Sequence, residues 1–383
     1  MTATQNKSPT AGKEIRLEDI FEQTILHFLE PVGEFLRDPT VTEIMINGPQ
    51  EIHVERRGKL TLSDAKFPSD AALMAAVRNM LQYVGKRVDQ EHPMMDARLP
   101  DGSRVHVALP PCSRKGVVVT IRKFSRQAFD MDFLVKIGCV SPLARDFLKL
   151  CILTEKNLLI SGGTSCGKTS LLNVLSEYIH KDRRIVVIEE SSELQLRQPH
   201  VIGLETRAAD RYGRGEVTIR DLFKSSLRMR PDRVIVGECR GGEALDMIQA
   251  MTSGHAGSMT TLHADSPADA LHRLETMAMM SSVELPLMAL RAQVASAIHI
   301  IVQMMRFADG SRRVVDISQV LPLDDHGRYH VEALFVLRMP AGERDLTKSV
   351  LEWTGKKLLF RDEVSIQTEL ANIPSLEPMV VDN

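Results

Sequence analysis

The sequence predicts an α/β protein of two domains, an N-terminal α+β domain followed by a doubly wound domain with a mainly parallel sheet. Its 383 residues exceed one ordinary hydrophobic core, so about two domains are expected. The first part of the chain alternates apolar and polar residues with period two, as half-buried strands do. Beyond residue 157, short branched apolar runs alternate with helical patterns, as central parallel strands do.

Apolar periodicity predicts each element of the first domain. Helical spacing covers residues 17–36 and 73–84. Period-two alternation predicts strands, and these cover residues 41–48, 51–56, 97–109 and 116–122. An Asp-Gly turn opens the third of these strands.

The second domain is predicted from three buried strands, residues 158–161, 185–189 and 234–236. Pro142 suits the first position of a helix that precedes them. Helical stretches separate the strands, which is typical of a doubly wound sheet. Such a sheet binds phosphates at the carboxyl end of its first strand.

Five segments follow from these elements. Residues 1–16 are expected to be a disordered leader and residues 17–125 a helical plus α+β domain. Residues 126–142 are expected to be a linker, and residues 143–345 the domain with the parallel sheet. Residues 346–383 are predicted to be a partly disordered C-terminal extension.

Composition indicates a globular protein and argues against several kinds of partner and cofactor. The chain is 43% hydrophobic, 26% charged and 4% aromatic, as globular proteins are. The 48 basic and 50 acidic residues give a net charge of -2, so no direct nucleic-acid partner is expected. The five cysteines form no C-x-x-C pair, so neither zinc nor a disulfide framework is expected.

Polar residues interrupt the most apolar stretch, residues 288–307, too often for a membrane span. The N-terminus lacks the apolar region of a signal peptide. The protein is therefore expected in the cytoplasm, without membrane insertion. Any association with the inner membrane is expected to be peripheral and made through partners.

A phosphate-binding loop is the most specific motif. The sequence fits G-x-x-x-x-G-K-[ST] between a strand and a helix. The residues expected to bind nucleotide are Gly162, Gly163, Thr164, Ser165, Cys166, Gly167, Lys168, Thr169 and Ser170. Lys168 is expected to reach the β and γ phosphates of ATP, and the Thr169 hydroxyl to bind Mg²⁺. A redox role for Cys166 is the weaker interpretation.

Carboxylates that follow buried strands are candidates for ordering Mg²⁺ or the attacking water. Glu238 follows residues 234–236 and is predicted to be a general base that also holds Mg²⁺ through water. Glu189 and Glu190 end another buried strand, and Glu190 is predicted to hold Mg²⁺ through water. Which of these two is the second essential acid stays open.

Histidines and arginines complete the predicted site. His255 and His263 lie among glycines and hydroxyl residues and lack the partners of a zinc site, which favours a γ-phosphate sensor or a subunit contact. Phosphoryl transfer also requires positive charge on the transition state. The candidate arginines are Arg104, Arg122, Arg207, Arg228 and Arg240.

Together these motifs resemble the type II/type IV secretion and pilus assembly ATPase superfamily, closest to its CpaF branch, which powers Tad/Flp pili. The resemblance covers roughly residues 40 to 320 and is most specific over residues 227–244, Leu-Arg-Met-Arg-Pro-Asp-Arg-Val-Ile-Val-Gly-Glu-Cys-Arg-Gly-Gly-Glu-Ala. It includes Ile-Glu-Glu-Ser-Ser-Glu at residues 188–193, which is similar to the family's Asp box. It also includes a His box that ends in Thr-Leu-His-Ala-Asp at residue 265.

The resemblance implies a PAS-like N-terminal domain, a RecA-like P-loop ATPase domain and a homo-hexameric ring. Arg104 and Arg122 would touch the nucleotide, and Glu238, Glu190, Glu189, His263 and Arg240 would be the catalytic set. Hydrolysis of Mg·ATP would move the domains and drive pilus assembly through an inner-membrane platform protein, with retraction left as an open alternative. The alternative function within the same superfamily is that of a type IV secretion traffic ATPase. Two functions of other classes are a nucleotide-dependent switch that hydrolyses ATP slowly and a DNA translocase.

Two departures from the family pattern stand out. Ser165 occupies a position where the family usually has glycine, and Glu190 replaces the aspartate of the Asp box. Mg·ATP binding is expected to survive both changes.

Overall fold

In this computed structural model, the described residues are 24, 26–56, 58–124, 129–209, 212–340, 342–343, 345, 348–361 and 373–380. The leader predicted over residues 1–16 lies outside them, as does part of the helix predicted over residues 17–36. The chain divides into two compact units between Arg126 and Gln127.

The first unit contains an antiparallel sheet. Its strands are β1 Val41–Asn47, β2 Ile52–Arg56, β3 Lys59–Leu62, β4 Met94–Arg98, β5 Arg104–Ala108 and β6 Val118–Arg122. In the described residues these six strands lie in the order β3-β2-β1-β6-β5-β4, with every neighbouring pair antiparallel. Its helices are Gly33–Arg37 and Asp70–Tyr83.

One face of this sheet is apolar because alternate strand residues point to the same side. Ile44, Val105 and Ile121 are buried in one core with Leu73 and Val77 of the helix Asp70–Tyr83. The Ser69 hydroxyl caps this helix by accepting a hydrogen bond from Ala72 N. The opposite face of the sheet therefore carries the polar residues of the strands.

The single strand predicted over residues 97–109 is wrong, because two strands of a hairpin occupy this region. Arg98 on β4 lies opposite Arg104 on β5. Between them Asp101 accepts a hydrogen bond from Ser103 N at 2.9 Å, and Leu99 N donates to Ser103 O at 2.8 Å. The Asp-Gly turn therefore reverses the chain inside the predicted strand rather than before it.

The second unit contains the predicted, mainly parallel sheet. Its strands are β7 Leu158–Gly162, β8 Ile185–Glu189, β9 Val201–Glu205, β10 Arg233–Val236, β11 Met259–Leu262, β12 Ile300–Arg306, β13 Arg312–Leu321, β14 His330–Arg338 and β15 Val350–Trp353. Its helices are Met131–Lys136, Pro142–Leu153, Lys168–Ser176, Ile219–Ser226, Glu243–Thr252, Pro267–Met279, Leu287–Ala297 and Glu377–Val380.

The strand order in this part of the structure is β15-β14-β13-β12-β7-β11-β10-β8-β9. Neighbours from β12 to β9 are parallel, whereas β13, β14 and β15 continue the sheet in antiparallel fashion. The residues of β7, β8, β10 and β11 are all buried. Both faces of these strands are covered, which explains their nearly continuous apolar sequence.

Part of the predicted C-terminal extension packs into the second unit. Ile373, Leu376 and Met379 are buried in the same core as β7 and the helix Pro142–Leu153. Ser375 donates a hydrogen bond to Asp146 at 2.8 Å. Among the described residues, none of the helices has the length and apolar character to cross a bilayer.

Candidate phosphate and carboxylate site

A glycine-rich loop joins β7 to the helix Lys168–Ser176. Gly162 has φ +151°, and a Cβ at this residue would lie 2.4 Å from Met304 O on β12, so only glycine fits. Gly167 adopts a left-handed conformation at the start of the helix and brings no capping side chain. The first-turn N–H groups of the helix and its dipole therefore favour an anion at the loop.

Ser165 and Cys166 are neighbours in the loop but have different environments. Ser165 has φ +56°, in the left-handed region that disfavours any residue with a Cβ, which explains why glycine is usual there. Cys166 is 1% exposed, and its burial raises the pKa of the thiol. Since a protonated, buried thiol is unreactive, the geometry favours a packing role for Cys166 over a redox role.

Lys168 is buried beneath the loop. Its Nζ donates hydrogen bonds to Gly162 O and Gly163 O, both at 2.9 Å. It also lies 3.4 Å from His263 Nδ1. The predicted phosphate lysine is thus held between the loop backbone and the His box. Elsewhere in the predicted nucleotide-binding set, Gly163, Thr164 and Ser170 are exposed, whereas Ser165, Gly167 and Thr169 are half-buried.

Four predicted residues, which follow neighbouring strands, form a row that begins at this lysine. His263 follows β11, Glu238 follows β10 and Glu190 follows β8, and these strands lie side by side. Glu238 Oε1 is 2.6 Å from His263 Nε2. Arg240 Nε donates to Glu238 Oε2 at 2.7 Å, and Arg240 Nη1 donates to Glu190 Oε2 at 2.5 Å. A continuous row runs from Lys168 to Glu190.

Glu189 and Glu190 have different environments. Glu189 is buried, and its Oε1 accepts hydrogen bonds from Glu193 N at 2.9 Å and Leu194 N at 3.0 Å. Its side chain therefore stabilises the loop after β8. The Glu190 side chain is 58% exposed and contacts Arg240. Of the two acids, Glu190 has the geometry of the one that faces the site.

His263 is half-buried between a cation and an anion. Burial lowers its pKa, and the charge of Lys168 lowers it further, against the opposing effect of Glu238. Because Nδ1 faces the Lys168 ammonium, which can only donate, the ring proton belongs on Nε2, beside Glu238. A neutral His263 thus links the phosphate lysine to the predicted general base.

His255 does not join His263. His255 precedes β11 and His263 follows it, so they lie at opposite ends of the strand. The glycines near His255 also have a structural explanation. Arg233 is buried, donates to Ile152 O at 3.1 Å and fills the space beside Gly257, where a Cβ would lie 1.0 Å from its Nη1. The segment before β11 thus folds around the buried Arg233.

Arg207 and Arg228 are placed differently from Arg240. Arg207 Nε donates to Gly215 O at 2.6 Å and its backbone pairs with Val217, so it stabilises the loop after β9. Arg228 is exposed in the short 3-10 helix Leu227–Met229. Of the three candidates in the second unit, Arg240 alone contacts the predicted carboxylates Glu238 and Glu190.

The first unit aligns three arginines across neighbouring strands. Arg98 lies opposite Arg104, and Arg104 lies opposite Arg122. Like charges opposite each other repel, so the row concentrates positive charge on one face of the sheet. Glu43 lies on the other side of Arg122. The prediction of Arg104 and Arg122 omitted Arg98, which only the hairpin register around Asp101 brings into the row.

The oxygen ligands that Mg²⁺ prefers are present in the second unit. Glu238 and Glu190 supply carboxylates on adjacent strands, and Thr169 supplies a hydroxyl at the start of the P-loop helix. This donor set fits a hydrated Mg²⁺ held partly by phosphate oxygens. When bound, the ion would neutralise phosphate charge.

Gln303 was not predicted as part of the site. It is buried on β12, accepts a hydrogen bond from the Ser161 hydroxyl, and donates to Ala264 O at 3.0 Å. It therefore ties the end of β7 to the residue that follows His263. A polar residue within an otherwise apolar strand was the signal in the sequence.

The fold and this site define a P-loop protein of the RecA-like class, with an additional N-terminal antiparallel-sheet domain. The sequence matches the family described as "Type II/IV secretion system protein" over residues 27–332. The chain therefore belongs to this family.

Two relatives agree with this assignment, and two solved structures share the fold. The chain is 30% identical to the type IV secretion system protein VirB11 of Bartonella henselae, over 79% of this chain and 94% of that protein. It is 33% identical to the type IV secretion system protein PtlH homolog of Bordetella bronchiseptica, over 76% and 93%. The Legionella pneumophila ATPase DotB has the same fold, with a TM-score of 0.53, 18% identity and 80% coverage of each chain.

The pilus retraction motor PilT also shares the fold, with a TM-score of 0.51 and 18% identity, over 84% of this chain and 82% of that one.

Proposed function

We propose that this protein is a Mg·ATP hydrolase that converts hydrolysis into domain motion within a hexameric ring. The observation that carries the proposal is the row from Lys168 through His263 and Glu238 to Glu190 along the carboxyl edge of adjacent parallel strands. In this arrangement the P-loop would bind the phosphates, Glu238 would accept a proton from the attacking water, and Glu190 would order the hydrated Mg²⁺.

The N-terminal arginines extend the proposal. Arg104 and Arg122 would stabilise phosphate charge, with Arg98 adjacent to them in the same row. Since phosphoryl transfer spreads negative charge over several oxygens, a row of guanidinium groups suits this task. Movement of this domain during each catalytic cycle would be the mechanical output.

The machine that the ring serves is proposed to be a Tad/Flp-type pilus, with an inner-membrane platform protein as partner. Support comes from the CpaF-like sequence of residues 227–244. A second candidate, a type IV secretion traffic ATPase, is favoured by the relatives named for type IV secretion. Deletion of the gene tests both, since loss of surface pili supports the first and loss of substrate transfer with pili intact supports the second.

The hydrolase activity is tested by comparing wild-type protein with Glu238→Gln and Lys168→Ala. Steady-state release of phosphate from Mg·ATP should fall about 100-fold or more in Glu238→Gln while nucleotide binding persists. Lys168→Ala should lose nucleotide binding as well. Wild-type hydrolysis no faster than that of Glu238→Gln would contradict the motor function.

A further inference from the structure

The guanidinium of Arg240 bridges the two carboxylates proposed to order Mg²⁺. Its Nε and Nη2 both contact Glu238 Oε2, at 2.7 and 2.5 Å, and its Nη1 contacts Glu190 Oε2 at 2.5 Å. Glu238 and Glu190 are also the residues that would hold a hydrated magnesium ion in the proposed function. Arginine donates hydrogen bonds without accepting any, so it competes with a cation for these atoms.

The backbone beneath Arg240 is anchored, while its side chain is partly exposed. Arg240 N and Gly241 N donate to the buried Glu243 Oε1, at 2.7 and 2.8 Å. A Cβ at Gly242 would lie 3.1 Å from the backbone of Ser281, so the turn is packed from outside. The Arg240 side chain, in contrast, is 54% exposed. The turn thus holds a partly exposed cation on an anchored backbone beside the two acids.

Electrostatic repulsion indicates that Arg240 and Mg²⁺ compete for the two carboxylates and do not bind them together. A magnesium ion between Glu238 and Glu190 would lie close to the Arg240 guanidinium, and the two cations would repel each other. Once displaced, the long side chain of Arg240 would stay within reach of phosphate oxygens. The Arg240 side chain would therefore leave Glu238 and Glu190 when the Mg·nucleotide binds.

We propose that Arg240 is a positioning residue that occupies Glu238 and Glu190 as an alternative to Mg²⁺, and that Mg·nucleotide binding displaces it. The proposal rests on the proposed function, because it needs a magnesium-dependent nucleotide site. The other possible role of Arg240 is to stabilise charge in the transition state alone. In that case, the Mg²⁺ concentration needed for nucleotide binding would not depend on Arg240.

The test is a Mg²⁺ titration of the binding of a fluorescent ADP, followed by anisotropy on the full-length chain. Arg240→Gln removes the competing cation and keeps hydrogen-bonding capacity. It should lower the half-saturating Mg²⁺ concentration about two- to fivefold, the scale on which partly exposed ion pairs act. Arg240→Lys keeps the charge but cannot bridge both acids as a fork, so it should give an intermediate value.

Arg338→Gln is the matched control, because Arg338 is similarly exposed and pairs with Glu352 at 3.7 Å. It should leave the titration unchanged. An unchanged or higher Mg²⁺ requirement in Arg240→Gln, with Arg240→Lys resembling it, would overturn the proposal. Loss of kcat with unchanged Mg²⁺ dependence would also overturn it and assign Arg240 to the phosphates.

Lys168→Ala distinguishes failure of the nucleotide site from failure of the Arg240 inference. If wild-type protein binds Mg·ADP and Lys168→Ala does not, the nucleotide site stands and the Arg240 variants decide the inference. If wild-type and Lys168→Ala proteins both fail to bind, the proposed function fails and the Arg240 inference fails with it.

Discussion

His263 Nδ1 lies 3.4 Å from Lys168 Nζ, joining the His box directly to the phosphate-binding loop. The two residues follow adjacent parallel strands, β11 and β7. Burial lowers the pKa of the imidazole, and the adjacent positive charge of Lys168 lowers it further. His263 therefore resists protonation in the folded protein.

This lowered pKa predicts a pH dependence of stability. Because the unfolded chain binds the His263 proton more strongly, the free energy of unfolding should decrease as pH falls through the ordinary histidine pKa of 6.5. Urea unfolding at pH about 7.5 and about 5.5 measures this decrease. His263→Gln should show a smaller decrease than wild type. An equal or larger decrease in the variant would contradict the assignment.

Glu189 and Glu190 should separate stability from activity. Glu189→Gln weakens two charge-assisted hydrogen bonds to backbone N–H groups and should reduce the free energy of unfolding by about 1 to 2 kcal/mol. Glu190→Gln should change it by less than about 0.5 kcal/mol, yet reduce Mg·ATP hydrolysis about 10-fold or more. Urea unfolding and phosphate release measure the two effects, and the reverse pattern would exchange the two roles.

Ser165→Gly should stabilise the protein. The change relieves the left-handed backbone strain at Ser165 but adds flexibility to the unfolded chain, which leaves a net gain of about 0.5 to 1 kcal/mol. Ser296→Gly, in the exposed part of the helix Leu287–Ala297, is the matched control and should destabilise by about 0.5 kcal/mol. Thermal unfolding distinguishes them, and a loss of stability in Ser165→Gly would refute the strain argument.

Gly257→Ala should be severely destabilising. Its Cβ would overlap the guanidinium of buried Arg233, and its positive φ adds strain, for a cost of about 3 kcal/mol or more. Gly254→Ala has a similar φ, but its Cβ would meet no atom of the described residues within 4 Å, so it should cost about 1 to 2 kcal/mol. Equal costs in urea unfolding would show that the Arg233 contact is unimportant.

Ring formation should be visible in solution. Light scattering behind size-exclusion chromatography should give a mass about six times that of the 42.8 kDa chain when a non-hydrolysable ATP analogue and Mg²⁺ are present. Glu238→Gln with ATP should give the same mass, because it is expected to bind without hydrolysing. A monomeric mass under both conditions would contradict the hexamer.

The strongest sequence signals are local ones. The apolar runs of β7, β8 and β10 are predicted because both faces of these strands are covered, and Pro142 begins the helix Pro142–Leu153 as expected. The P-loop can be predicted because nearby atoms, such as Met304 O beside Gly162, leave no room for a side chain, so that glycine is required at a fixed position of the motif.

Other features depend on contacts that no local pattern encodes. β11 was missed because its sequence, Met-Thr-Thr-Leu, is short and half polar, although Thr261 donates a buried hydrogen bond to Gly237 O. The distinction between Glu189 and Glu190 depends on which carboxylate faces the loop backbone. Arg98 becomes visible only when the register of β4 and β5 is known.

The packing of the last described residues has a consequence for biosynthesis. Leu376 and Met379 belong to the core that also contains Leu158 of β7 and Leu171 of the P-loop helix. When the phosphate-binding loop has been synthesised, the C-terminal side chains that complete the core around it have therefore not yet been made. The nascent second unit would expose this apolar surface until residues 373–380 have left the ribosome, whereas the N-terminal unit, which ends at Arg126, is complete much earlier in synthesis.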